Sequence, residues 1–159
     1  MIHVGMGYDV HPLVADRKCI LGGVAIPHSR GLAGHSDADV VMHAICDAVL
    51  GAIGEADIGQ FFPNTDPRWC GAPSRIFLEE AAHQVALRGG RIVNVDAAIV
   101  AQEPKIMPHA AAMKDNIGAA LGLKPAKVGI KATTNEHMGF VGRGEGIAVM
   151  AVACVDLPE

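Results

Sequence analysis

Apolar positions recur at two different intervals along this chain, and the interval separates strands from helices. Alternation is sharpest from Val93 to Ile99, where Val93, Val95, Ala97 and Ile99 point one way, and it returns at Val128–Ala132 and Ile147–Val155. A period of two marks a half-buried strand, so these three segments are predicted strands. The opening stretch Ile2–Val10 and the segment Cys19–Ile26 read the same way, with Gly22-Gly23 predicting a bulge and Pro27 an end. Between Ala38 and Ile53 the interval changes. Val40, Val41, Ala44, Ile45, Ala48, Val49 and Ala52 form a stripe at three- and four-residue steps, which predicts a helix packed on the sheet. A second helix is expected from Ser74, an N-cap residue type, to Arg88, stopped by Gly89-Gly90. A third follows Pro108 and ends near Gly122, burying Met113, Ile117 and Leu121.

This order predicts one α+β domain over residues 1–159, a single mixed sheet with helices on one face. No helix is left over for the other sheet face, so self-association is expected to cover it. Half the residues are apolar but only 4% are aromatic, which makes the interior one of small side chains. A chain of this length buries roughly 70% of its unfolded surface. It needs no metal to hold a core, so a metal site would serve chemistry. Lys and Arg number 13 against 17 Asp and Glu, a net charge of −4 with no basic run, which argues against nucleic-acid binding. Ile147–Val155 is too short to span a bilayer and the N-terminus lacks the pattern of a secretory leader. The four cysteines form no C-x-x-C pair, so a soluble, cytoplasmic chain in a reducing compartment is expected, without membrane partners.

Asp9 and His11 lie two residues apart in a strand and therefore leave the same face. His43, between Asp39 and Asp47 at four-residue steps on the first helix, is the third candidate. One carboxylate and two imidazoles suit Zn²⁺ with an open fourth position, and Asp47 or Asp39 is placed to orient His43 through its second ring nitrogen. Solvated polar faces on the strand and the helix are the plain alternative. At Gly34–Asp39, Ser36 is a predicted N-cap with Asp39 at the reciprocal capping-box position, and His35 stands beside a helix start able to take a phosphate. The run Asp57–Asp66 reads as a loop, either a surface turn or a lid. In Lys131–Gly146, paired threonines, Glu136 and four glycines interleaved with Arg143 and Glu145 offer phosphate-binding hydroxyls and a ligand for a hard cation. A Gly-rich hairpin explains the same segment as structure.

Together, G-Y-D-V-H-P, H-S-D-A-D-V-x-x-H-A, D-I-G-x-x-F-P, A-Q-E-P-K and K-A-T-T-N-E-x-x-G-F-x-G-R-G-E-G closely resemble the 2-C-methyl-D-erythritol 2,4-cyclodiphosphate synthase family, from about Ile2 to Val155. The resemblance implies a homotrimer with its sheets facing the threefold axis and active sites between subunits. It implies cyclisation of 4-diphosphocytidyl-2-C-methyl-D-erythritol 2-phosphate with release of CMP, a step of non-mevalonate isoprenoid biosynthesis. Asp9, His11 and His43 match the family's zinc ligands, and Glu136 the ligand of a Mg²⁺ or Mn²⁺ ion bridging the substrate diphosphate. His35 and Thr134 match the positions that stabilise the transition state. Ser36, Asp57, Gly59 and the loop Phe62, Pro63, Asn64, Thr65 and Asp66 match contacts to the substrate. Ala101, Pro104, Lys105, Ile106, Met107, Ala132 and Thr133 match the cytidine pocket of the adjacent subunit. Tyr8, Phe140, Arg143 and Glu145 fall at the axis, where the resemblance implies either an isoprenoid diphosphate cavity or a ring of Arg–Glu pairs. The family's loop reads F-P-D-T-D, whereas Asn64 stands here in place of its first acid. A zinc-dependent phosphodiesterase and a non-enzymatic carrier of isoprenoid diphosphates are the other readings of the same residues.

Overall fold

The structure, a computed structural model, describes residues 1–159. In chain order its elements are β1 (Ile2–Ala15), β2 (Cys19–Leu21), β3 (Val24–Ile26), β4 (Arg30–Leu32), α1 (Val40–Ala52), α2 (Ile58–Phe61), α3 (Arg75–Leu87), β5 (Arg91–Val100), α4 (Ala110–Leu121), β6 (Val128–Thr133), α5 (Gly139–Gly142) and β7 (Gly146–Asp156). Five strands form one mixed sheet in the order β4-β1-β7-β5-β6, with β5 and β6 parallel and every other neighbouring pair antiparallel.

Three sequence expectations change here. Cys19–Ile26 is not one bulged strand: β2 and β3 form a separate two-stranded ribbon, so the chain holds two sheets. Gly22 and Gly23 both take positive φ, +56° and +72°, the backbone of a two-residue hairpin turn. The bulge lies instead in β5, where pairing to β7 slips between Ile92 and Asn94 and Val93 drops out of register. Val95, Ala97 and Ile99 then share the buried face. The Gly-rich stretch before β7 is no hairpin, because β6 and β7 are not neighbours: it holds α5 and crosses over β5.

Helix α1 begins two residues later than the pattern suggests, with Asp39 as its N-cap. The fully buried Asp39 carboxylate accepts from Val41 N at 3.2 Å and Met42 N at 3.1 Å, and from Gly22 N and Gly23 N at 2.9 and 2.6 Å, tying the ribbon to the helix. The predicted capping box therefore does not form, and Ser36 is free for another task. α1 is also buried well beyond its stripe, with only Asp47 and Gly51 reaching solvent to any extent. It lies between the sheet and α3, so both its flanks are covered. α4 buries Met113, Ile117 and Leu121 as expected and ends at Gly122 in the left-handed conformation, φ +68°.

Close approach of α1 to the sheet positions everything that follows. A Cβ on Gly7 would sit inside contact distance of the Ala44 carbonyl and Ala48 N, and one on Gly5 would strike the backbone at Ala48 and Ala52. Gly7→Ala is therefore expected to push the helix off the strand and to cost about 3 kcal/mol, the upper end for overpacking, measurable by thermal denaturation. On the opposite face of β1 and β7, Ile2, Val4, Met6, Tyr8, Met150 and Val152 are all exposed. No helix is long and apolar enough to cross a membrane.

Candidate metal centre and its cleft

The inner face of β1 carries Gly5, Gly7, Asp9 and His11 in sequence, since alternate residues share a face. With the Ala44 carbonyl against Gly7, the preceding turn of α1 brings His43 over Asp9 and His11. Asp9 Oδ2 lies 3.0 Å from His11 Nε2 and 3.1 Å from His43 Nδ1, and the two ring nitrogens are 3.2 Å apart. Two side chains from β1 and one from α1, 32 residues beyond His11, therefore converge on one point.

Each imidazole is held by its other nitrogen. His11 Nδ1 donates to the Ala33 carbonyl at 2.8 Å, which leaves Nε2 facing Asp9. His43 Nε2 lies 2.8 Å from Ser74 Oγ and 3.2 Å from Ser36 Oγ. The predicted orienters are corrected here: Asp39 caps α1, and Asp47 accepts from Ile58 N at 2.8 Å. Ser74 holds the N-cap position of α3 as expected, yet makes no side-chain cap bond.

Charge follows from this geometry. Burial raises the Asp9 carboxyl, but its close contacts with the His11 and His43 imidazoles outweigh it and hold the group well below the ordinary carboxylate range. Burial lowers His11, and the hydrogen bond to Asp9 outweighs that, so its protonated form persists above the ordinary value of 6.5. In the metal-free chain Asp9 thus contributes stability above its ordinary 3.8, lost as acid titrates it. His11 contributes below 6.5, and its share is lost as pH rises through the elevated value. A divalent cation must displace the His11 proton, so affinity for zinc is expected to climb from pH 6 to pH 8, with proton release on binding, both readable by calorimetry.

These residues floor a cleft of about 460 Å³ whose lining also includes His35, Ser36, Gly59, Phe62, Pro63 and Asn64. Asp57 N-caps α2, accepting from Gln60 N at 3.3 Å, so part of the expected loop is a short helix. His35 Nε2 donates to the Asp66 carbonyl at 3.0 Å, while the Asp66 carboxylate pairs with Arg68 and Thr65 is exposed. Trp69 and Phe77, which pattern reading passed over, also line the cleft and pack with Phe62 at centroid distances of 5.0 and 4.5 Å from it. Ser74 was missed as a partner of His43. Its only sequence signal was that of a helix cap.

A second group of predicted residues assembles elsewhere, at the ends of β5 and β6. Ala101 N donates to the Thr133 carbonyl at 3.0 Å, and His137 N to Gln102 Oε1 at 3.3 Å. Beyond β6, Thr134 Oγ1 accepts from Glu136 N at 3.3 Å in a turn where Glu136 and His137 take φ of +48° and +61°. Ala132 and Pro104 are half-buried, Ile106 is buried, and Lys105, Met107, Thr133, Thr134 and Glu136 are exposed. None of them lines the cleft, so one chain does not bring Thr134 and Glu136 to His35 and the triad. Arg143 and Glu145 form a two-point ion pair at 2.7 and 3.2 Å, with Tyr8 and Phe140 exposed.

Fold and cleft define an α+β protein with a three-donor candidate metal centre. The sequence profile of the YgbB family matches residues 2–156, and the chain belongs to that family. It is 58% identical over 153 residues, 96% of each chain, to the 2-C-methyl-D-erythritol 2,4-cyclodiphosphate synthase of Dechloromonas aromatica (strain RCB). Among solved structures, the bifunctional IspDF of Campylobacter jejuni superposes with a TM-score of 0.95 at 39% identity, covering all of this chain and 43% of that one. The IspF–CDP complex of Plasmodium falciparum superposes at 0.87 with 32% identity, covering 99% of this chain and 97% of that one.

Proposed function

We propose that this chain cyclises 4-diphosphocytidyl-2-C-methyl-D-erythritol 2-phosphate to 2-C-methyl-D-erythritol 2,4-cyclodiphosphate with release of CMP; that cyclodiphosphate is the product in its relatives' names. The observation that carries the reading is the convergence of Asp9, His11 and His43 on the floor of a cleft walled by His35. The donor set suits zinc: one carboxylate oxygen and two imidazole nitrogens stand 3.0–3.2 Å apart. Adjacent ligands of tetrahedral zinc are separated by about 3.3 Å for bonds near 2.0 Å. Zinc bound there supplies Lewis-acid stabilisation of charge on a phosphate oxygen.

In the cyclisation the 2-phosphate oxygen attacks the β-phosphorus and the bond to the CMP phosphate breaks. No protein nucleophile takes part, so the chain's task is positioning and charge stabilisation. His35, steadied by the Asp66 carbonyl, faces the phosphates from the cleft wall, and Ser36, Asp57, Gly59 and the loop from Phe62 to Asp66 hold the methylerythritol end. Asn64 contributes a hydrogen-bonding side chain there without the charge of the family's acid.

The other half of the site comes from a neighbouring copy. Thr134 contacts the diphosphate, Glu136 holds the Mg²⁺ or Mn²⁺ ion, and Ala101, Pro104, Lys105, Ile106, Met107, Ala132 and Thr133 receive the cytidine. A homotrimer accounts for both this split and the exposed apolar face, with Ile2, Val4, Met6 and Val152 turned toward a threefold axis. At that axis Arg143 already pairs with Glu145. Because this pair lies within one chain, an isoprenoid diphosphate and a Glu145 of a neighbouring copy would each have to compete with it for the guanidinium.

Product analysis in ¹⁸O-water tests the reaction. CMP and an unlabelled cyclic diphosphate are expected, lost on chelation and restored by zinc. Solvent oxygen in the phosphate product would mark a hydrolase instead.

A further inference from the structure

We propose that Asp37 and Ser74 form a hydrogen-bond relay that keeps a proton on His43 Nε2, so that Nδ1 is presented to Asp9 and His11 as a ligand. The inference rests on the reading of the triad as a metal site and assigns two positioning residues to it.

The relay follows from counting protons. A carboxylate only accepts. Asp37 Oδ2 accepts from Ser74 N at 3.1 Å, and Oδ1 accepts from Asp39 N at 3.1 Å and from the Ser74 hydroxyl. Ser74 has one hydroxyl proton, and this contact commits it to Asp37. Toward His43 the Ser74 oxygen can then only accept, at 2.8 Å, which requires the proton on Nε2. Ser36 does not settle the matter alone: its oxygen accepts from Ala38 N at 3.1 Å and retains a proton of its own, and it lies farther from Nε2, at 3.2 Å.

Local structure is arranged around this chain of bonds. Ser74 is fully buried at the N-cap position of α3, yet its hydroxyl turns away from the helix it precedes and makes no cap bond. Asp37 fixes that orientation by binding both the amide and the hydroxyl of the same residue. Ala38 takes a positive φ of +58° between Asp37 and Asp39, an uncommon conformation for a residue with a Cβ. The kink sends the two neighbouring carboxylates to different tasks, Asp37 to Ser74 and Asp39 to the start of α1. His11 is treated alike, with the Ala33 carbonyl occupying Nδ1. Both imidazoles thus have one nitrogen tied to a fixed acceptor and the other turned inward, the arrangement that fixes tautomer and ring orientation in metal sites.

The test pairs zinc affinity, by chelator competition, with NMR of the ¹⁵N-histidine-labelled full chain. In the wild type, His43 is expected to show a slowly exchanging proton on Nε2, with or without zinc. Ser74→Ala should speed that exchange and weaken zinc binding by about 10–100-fold, while Ser74→Thr, which keeps the hydroxyl, should restore most of the affinity. A bare Nε2 in the wild type overturns the relay, and this measurement stands even if Ser74→Ala does not fold. Unchanged zinc affinity in folded Ser74→Ala also overturns it. Failure of the wild type to take up zinc overturns the metal reading instead, and the His43 proton in that metal-free chain still decides the relay.

Discussion

His43→Ala is expected to lower zinc from about one ion per chain to a trace and CMP release by about a thousandfold. Three donors converge on one point, and the substitution removes the only one supplied by α1. Asp9 and His11 remain, two ligands from a single strand that no longer enclose an ion. Several kilocalories of charge stabilisation are lost with the metal, and about 4 kcal/mol corresponds to the thousandfold drop. The fold should persist, because the surrounding core of small side chains and the Asp39 cap of α1 do not involve the imidazole. Elemental analysis and CMP assays on the folded variant check this. Full zinc retention would remove His43 from the ligand set.

Complementation between two inactive variants is expected to have an effect nearly as large. Chains carrying His43→Ala lack the metal floor of the cleft, and chains carrying Thr134→Ala lack a residue that this structure places outside that cleft. If each active site draws its two halves from adjacent copies, co-refolding equal amounts should restore about one quarter of wild-type CMP release, the fraction of sites receiving two intact halves. Mixing without refolding should restore none while subunits do not exchange. Activity that stays at background after co-refolding into trimers would place both halves within one chain and remove the inter-subunit site.

Much of the architecture was legible because hydrophobic spacing reports directly on which face is buried. The alternation in β6 and β7, the length of α3 and the Gly122 end of α4 could all be read this way. Short elements were not. β4 and α2 are only three and four residues long, too short to show a period, and both are held by tertiary partners. At Gly22-Gly23 the residue types allowed either a bulge or a turn. Two positive φ angles make it a turn and split one expected strand in two.

The candidate site divides along the same line. Residue type and spacing put Asp9 and His11 on one face and made His43 a third candidate, since metal donors are carboxylates, imidazoles or thiolates; it was the family resemblance that implied the three share one ion. Which side chains support them was decided only in three dimensions. Asp47 and Asp39 have the helical spacing to reach His43, yet Asp47 binds α2 and Asp39 the start of α1, while Ser74 arrives from another helix altogether. Periodicity describes one element's own faces and carries no information about what a second element brings to them. That is settled by how closely α1 can approach β1 at two glycines, and by where Asp37 turns the hydroxyl of Ser74.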